Sequence, residues 1–322
     1  MAEILLSLTI IGVVAAITLP SLTGNINERT WNTQRKALYS RISQTIALMP
    51  SVNGYGIGAT EEETKKHATE TFITAGLAKV LKINNICDRD HWHECGLACD
   101  VNPMSGSKFY VRQSLYQLSG YFNYQTDPDG DGVYTVYFTV PDTNIAAFET
   151  ANGESIVTYY NPYCRNKDAY VLNESGDKLK YAQQFMCVNF LYDLNGKKGP
   201  NTMGKDMGAI TVFYPTDSTV VMPMPVNTIK KDVTFVEATN YCKGLDGEYR
   251  MPTYDEWGSM FVNRTYWGGN INVPSNGNFR WTSSISDDNP TLVRVMDVGN
   301  GNTGLTLNKN TGKAGVNCIK RF

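Results

Sequence analysis

Three patterns of apolar and polar positions succeed one another along this chain. From Ile4 to Leu22 every residue is apolar, small or a hydroxyl, without a Lys, Arg, Asp or Glu. About 20 such residues span a bilayer as a helix, so the run predicts a membrane-length helix that Pro20 interrupts. Trp31, Leu38, Ile42, Ile46 and Met49 then recur at helical spacing, with Arg29, Arg35, Lys36 and Arg41 between them. That period predicts that the helix continues as a polar, amphipathic one, ending at Pro50 because proline disfavours helix in the residue before it. Glu3 stands at the mouth of the apolar run. A carboxylate there is expensive in lipid, and the positive end of the helix dipole offsets only part of that cost. The residues around Glu3 offer no cation, so the partner it calls for is the terminal amine of a neighbouring copy, in an assembly of side-by-side N-terminal helices.

The third pattern is alternation. After a helix near residues 61–81, the stretches Val133–Val140, Phe185–Tyr192 and Ala209–Tyr214 are rich in β-formers and predict strands. The Pro-rich stretch Val221–Pro225 reads as a stiff connector. It divides the chain into an N-terminal helix over 1–50, a globular head over 51–225 and a terminal unit over 226–322. Two helix starts are legible in that unit, because Thr234 with Glu237 and Thr253 with Glu256 both have capping-box spacing. The first helix runs about Phe235 to Lys243 and stops at Gly244; the second begins after Pro252. Cys242 on the first helix and Cys318 near the chain end are placed so that a bridge between them would tie the terminal strand down.

Composition narrows the class. Charged residues make up 19% of the 322 and the formal net charge is −2, so a basic field for nucleic acid has no support. Seven cysteines suit an exported chain with disulfides. The cluster Cys87, His91, His93, Cys95 and Cys99 has residue types that could hold zinc. In an oxidising compartment these thiols would be bridged instead, with Cys164 and Cys187 as further partners. Asp127, Asp129 and Asp131 with Gly132 form the first half of a calcium loop. Phe138 occupies the twelfth position and cannot supply the second-half carboxylate. The pattern leaves a weak surface calcium site and a solvated acidic turn as alternatives; no other cofactor is indicated. With three histidines in the chain, a Ser-His-Asp arrangement has little material, and the protein reads as non-catalytic.

The segment from Ala2 and Glu3 through Gly12, Val13, Val14, Ala15, Ala16, Ile17 and Pro20 resembles the N-terminus of type IV pilins and type II secretion pseudopilins. Met1 stands where that family has Leu. The resemblance covers roughly the first 45 residues and implies that Glu3 pairs with a neighbour's amine during assembly and that the helix loosens at Pro20. It also implies N-terminal methylation and passage from the bacterial inner membrane to a surface filament or the periplasm, with other pilin or pseudopilin subunits as partners. The stretch Tyr192–Asn201 followed by Gly204–Asp206 resembles a strand-turn motif of pseudopilin-like heads. Residues 228–322, through Ala238, Tyr241, Cys242, Arg250, Pro252, Thr253, Glu256, Trp281, Ser284 and Cys318, resemble C-type-lectin-like domains of bacterial adhesins. Function lives in the site and not the fold, and the carbohydrate signatures of calcium-dependent lectins are missing. Tyr254, Tyr266, Trp267 and Asn270 are therefore the candidate contacts for a glycan or protein ligand, while Trp257, at a helix position, is the better core residue. The expected fold is α+β: a long hydrophobic N-terminal helix packed on an antiparallel sheet, followed by a lectin-like α+β domain. The expected role is adhesion or ligand recognition by a minor pilin or pseudopilin. The rivals are a pseudopilin that engages secreted substrate and a membrane-anchored surface protein without a filament.

Overall fold

The arginine-rich period that begins at Arg29 folds as an amphipathic helix, α1, over residues 29–48. The computed structural model describes residues 29–52, 68–88, 91–96, 100–101, 109–110, 145–160, 171–172, 178–179, 186–198, 201–213, 218–221, 225–263, 279–297 and 305–320. Leu38, Ile42 and Ile46, then Met49 in the short turn Met49–Val52, form the buried stripe of α1, while Lys36, Ser40 and Gln44 are exposed. Fully burying an aliphatic side chain contributes about 1.5–3 kcal/mol, and burial of one stripe only is what a helix on a sheet requires.

This corrects the expected architecture. No described helix is long and apolar enough to cross a membrane. The described chain is organised on two sheets, one antiparallel and one mixed, in place of a long hydrophobic helix packed on a sheet and followed by a lectin-like domain. Polar residues at every second or third position give α1 an outer face for water, which is why it is not a lipid helix. The apolar run with Glu3 and Pro20 lies outside the described residues, as does the strand expected over Val133–Val140.

The first sheet is drawn from β1 (Ile83–Cys87), β4 (Ile145–Thr150), β5 (Ser155–Tyr160), β8 (Met186–Asp193), β9 (Met207–Phe213) and β10 (Ser218–Val221), hydrogen-bonded antiparallel in that order. The short strands β2 (Asp100–Val101) with β3 (Phe109–Tyr110), and β6 (Val171–Leu172) with β7 (Lys178–Leu179), form separate two-stranded ribbons. Every residue of β5, β8 and β9 is buried. An antiparallel sheet usually keeps one face for water, so this one must be covered twice. The two-residue period assigns the faces. Phe148, Ile156, Tyr160, Phe190, Tyr192, Ile210 and Val212 pack with the α1 stripe. Ala147, Val157, Tyr159, Leu191, Ala209 and Phe213 face the other way. Short helical segments, Ala68–Thr71, Phe72–Gly76 and Leu77–Lys79, complete the α1 side, where Phe72 stacks on Tyr160 with ring centroids 4.6 Å apart.

The second sheet takes the order β11 (Pro225–Val233), β16 (Ala314–Lys320), β13 (Phe279–Ile285), β14 (Leu292–Asp297) and β15 (Leu305–Asn308), with β12 (Tyr249–Arg250) paired to β16. Its β13–β16 pairing is parallel. Helices α2 (Phe235–Lys243) and α3 (Tyr254–Val262) begin at the two capping boxes, with Thr234 and Thr253 each accepting from the third amide and Glu237 and Glu256 reaching back. Helix α2 covers one face of this sheet, packing Ala238 and Cys242 against Trp281, Val293, Val295 and Val316. Cys242 is bridged to Cys318 on β16, with Cα atoms 5.4 Å apart. A loop closed over 76 residues stabilises the fold by roughly 4 kcal/mol on the chain-entropy account.

Helix α3 fills the second face of the first sheet. Trp257, Met260, Phe261 and Val262 enter the same cluster as Val157, Leu191 and Phe213. Within this apolar contact lies a polar quartet. Asn189 and Thr211 are opposite one another on β8 and β9, and Ser259 and Asn263 are one turn apart at the end of α3. Asn189 Nδ2 donates to Asn263 Oδ1 at 2.9 Å, Thr211 donates to Asn189 Oδ1 at 2.9 Å, and the Thr211 and Ser259 hydroxyls are 2.9 Å apart. Asn263 Nδ2 returns to Asn189 Oδ1 at 3.2 Å and to its own helix at Ser259 O, 2.8 Å. Removing a member orphans the groups it alone satisfies, and each orphaned buried group costs about 1–3 kcal/mol. Asn263→Ala should therefore destabilise the chain by about 3 kcal/mol and Ser259→Ala by about 1 kcal/mol, because Thr211 keeps Asn189 in the second variant. Urea unfolding midpoints check the ranking, and equal losses would refute it.

Candidate functional site

The surface that the sequence nominates for recognition is built around the start of α3. Glu256 caps that helix, and Arg250 on β12 grips the same carboxylate with both terminal nitrogens, Nη1 to Oε2 at 2.7 Å and Nη2 to Oε1 at 2.5 Å. The pairing raises the Arg250 pKa above its ordinary value, the hydrogen bonds to Glu256 outweighing the opposing effect of burial. A planar guanidinium matched to a carboxylate fixes orientation as well as charge. Pro252 O accepts from the Ser283 amide at 2.8 Å and the Tyr254 amide donates to Ser284 Oγ at 3.0 Å, which stitches the helix start to β13. The residues Arg250, Pro252, Thr253 and Glu256 thus perform a structural task.

Of the four candidate ligand contacts, only Tyr254 lies among the described residues. It is half-buried, and the Arg294 guanidinium lies 5.4 Å from its ring centroid, in cation–π range. Arg294 is also paired with the exposed Asp287. Tyr254 is thus engaged both by Arg294 and by the core cluster against which it packs. Tyr266, Trp267 and Asn270 lie outside the described residues, as do Asp127, Asp129 and Asp131 of the candidate calcium loop. Trp257 is buried and donates its ring N–H to Trp281 O at 3.2 Å, a core role.

The cysteine-histidine cluster is not a metal site of the expected kind. Cys87 and Cys95 are joined in a disulfide, so neither is a thiolate that could ligate zinc. His91 instead pairs with Asp88 at 2.7 Å in an exposed turn. Cys187 is disulfide-bonded as well. Among the described residues no group of three or more His, Cys, Asp or Glu could hold a metal ion.

A second site, which the sequence pattern did not reveal as ionic, lies between β8 and β9. Asp193 and Asp206 are both wholly buried. Asp206 accepts from the Asn201 and Thr202 amides at 2.8 Å each. Asp193 accepts from the Asn195 amide at 3.1 Å, and the Asn201 side-chain nitrogen reaches its other oxygen at 3.1 Å. Asn201 at φ 49° and Gly196 at φ 61° give the loop the left-handed turns that aim these donors inward. Burial, reinforced by the Asp206 charge and opposed by the Asn195 and Gly196 amides, pushes the Asp193 carboxyl up to about 7. The density of Asp, Asn and Gly from 193 to 206 marks a turn. Only the placement of both ends on adjacent buried strands makes it a carboxylate pair.

No protein-family model, curated protein or solved structure matches the chain. Its class therefore rests on its own residues.

The Arg250–Glu256 pair is half in water, which moderates its worth. Arg250→Met should lower stability by about 1–2 kcal/mol, since Glu256 stays as a cap but loses its bidentate partner. Arg250→Lys should recover less than half of that, because an ammonium cannot reproduce the fork. Thermal melts of the two variants test this, and full recovery by lysine would contradict a geometric role.

Proposed function

We propose that the chain is an exported, non-catalytic subunit of a pilus- or pseudopilus-type assembly, joined to its neighbours through the segment around Glu3. In this reading the unit over 226–322 is its recognition end. The observation that carries the proposal is the placement of the two covers of the first sheet. Helix α1, into which the apolar run from Ile4 to Leu22 leads, lies on one face, and α3 of the terminal unit lies on the other. Subunits packed side by side through their N-terminal segments would direct the terminal unit away from the bundle of helices. Described disulfides at Cys87–Cys95 and Cys242–Cys318 suit an oxidising compartment outside the cytosol. A terminal unit of this bulk is hard to repeat along a thin filament, which favours a minor or tip position, with a glycan or protein as ligand.

The test is made in the native cell, from the full gene start. The protein should be recovered in sheared surface filaments with a methylated N-terminus. Glu3→Ala should leave the amount of protein in the cell unchanged and reduce its recovery with the sheared fraction about tenfold or more, as the loss of a desolvated charge pair would dictate. A protein that stays wholly in the membrane fraction, with Glu3→Ala indistinguishable from wild type, would make it an anchored surface protein instead.

A further inference from the structure

The loop between Asp193 and Met207 and the adjoining strand β8 hold a buried cation of α1 against the first sheet. Arg35 is 5% exposed. Its Nη2 donates to Gly204 O at 3.0 Å and Lys205 O at 2.7 Å, and its Nη1 to Asn32 within α1 at 2.9 Å. Tyr192, wholly buried on β8, hydrogen-bonds the same guanidinium and lies so close over Gly208 that a Cβ there would sit 2.2 Å from its hydroxyl. The loop's peptide groups are therefore polarised in one sense. Carbonyls 204 and 205 face the guanidinium, whereas the amides of 195, 201 and 202 face the two carboxylates inside.

We propose that this loop is a proton-controlled clasp on α1: it holds Arg35 while Asp193, buried beside Asp206, keeps its proton, and lets the N-terminal half of the helix go when Asp193 ionises. Two buried anions on one loop repel, and interior amides that satisfy one charge do not satisfy two. Among the described residues, the other ionisable groups near the pair are engaged elsewhere or face water. Lys198 and Lys205 of the loop are exposed. Glu154, in the neighbouring turn, is paired with Arg41. Arg35 donates to the loop carbonyls and to Tyr192, and Tyr192 is itself held protonated by burial. Relief comes from admitting water, which turns the loop and takes the two carbonyls from Arg35. The sign follows from a folded-state carboxyl at about 7 against an ordinary 3.8. Its contribution to stability is complete below the ordinary value and is lost as pH rises through about 7. The C-terminal half of α1 has independent attachments in Ile42, Ile46 and Arg41, so the release is confined to the first half. The clasp rests on the loop's geometry and does not depend on the filament reading.

Amide hydrogen exchange, corrected for the intrinsic pH dependence, tests this on the whole chain from about pH 5 to about pH 8.5. Protection over residues 32–37 should fall about tenfold or more across neutral pH while that over 42–48 stays level. Asp193→Asn, which keeps the shape and removes one charge, should hold protection over 32–37 level. Arg35→Met should leave that half unprotected at every pH, with 42–48 still protected. Level protection in the wild type, or an unchanged fall in Asp193→Asn, would overturn the clasp. So would restoration of the wild type at high pH by millimolar calcium, which would make the pair a cation site.

Discussion

The rest of the structure depends on one constraint, the burial of β5, β8 and β9 on both faces. A sheet of this kind has no stable existence by itself, because its alternating side chains are apolar in both directions. The α1 side is closed by an apolar stripe, with Arg35 and Arg41 fixing the helix at two points along its length. The α3 side is different. There the cross-strand pair Asn189 and Thr211 must meet the one-turn pair Ser259 and Asn263, and only one placement of the helix satisfies all four. Apolar contact supplies most of the stabilisation, and the polar quartet selects where the second unit sits.

A consequence concerns what counts as a domain here. The stretch from Val221 to Pro225 separates strands of two different sheets, as a connector should. Yet α3, which lies beyond it in sequence, belongs to the same core cluster as β5, β8 and β9. The terminal unit is thus at once a unit by chain order and a cover by packing. Its disulfide and both capped helices give it local rigidity, so that rigidity reaches the first sheet through α3. A recognition surface at the start of α3 would accordingly be held against the head and not carried on a tether.

Local signals were legible and long-range ones were not. The capping boxes at Thr234 and Thr253, the stop at Gly244 and the core role of Trp257 follow from residue type and spacing, and the structure has each of them. Phe185–Tyr192 and Ala209–Tyr214 lie within two residues of β8 and β9. Strands β4 and β5 were overlooked because Ile145–Thr150 and Ser155–Tyr160 lack alternation, as strands buried on both faces must. Spacing does not distinguish a thiolate pair from a disulfide, and of the two alternatives weighed for Cys87 and Cys95 the structure has the bridge that an oxidising compartment favours. The amphipathic period is in the structure as the buried stripe Leu38, Ile42, Ile46 and Met49, whereas no described helix is long and apolar enough to cross a membrane.

The two ionic features of α1 show why charge was harder to read than hydrophobicity. Arg35 and Arg41 are equivalent in the sequence, yet Arg41 meets a carboxylate on the turn at Glu154, and Arg35 donates to two loop carbonyls, to Asn32 and to a phenol. A guanidinium held by neutral oxygens is as well oriented as those oxygens are. In this loop their orientation is set by amides that point the opposite way, toward Asp193 and Asp206. On the clasp reading, the seating of the first half of α1 is therefore coupled to the charge of a carboxylate on the far side of the loop. The second half, seated by Ile42, Ile46 and a direct ion pair, carries no such dependence. Two halves of one helix thus answer to different physical conditions, and the boundary between them falls near Leu38, where the buried stripe begins.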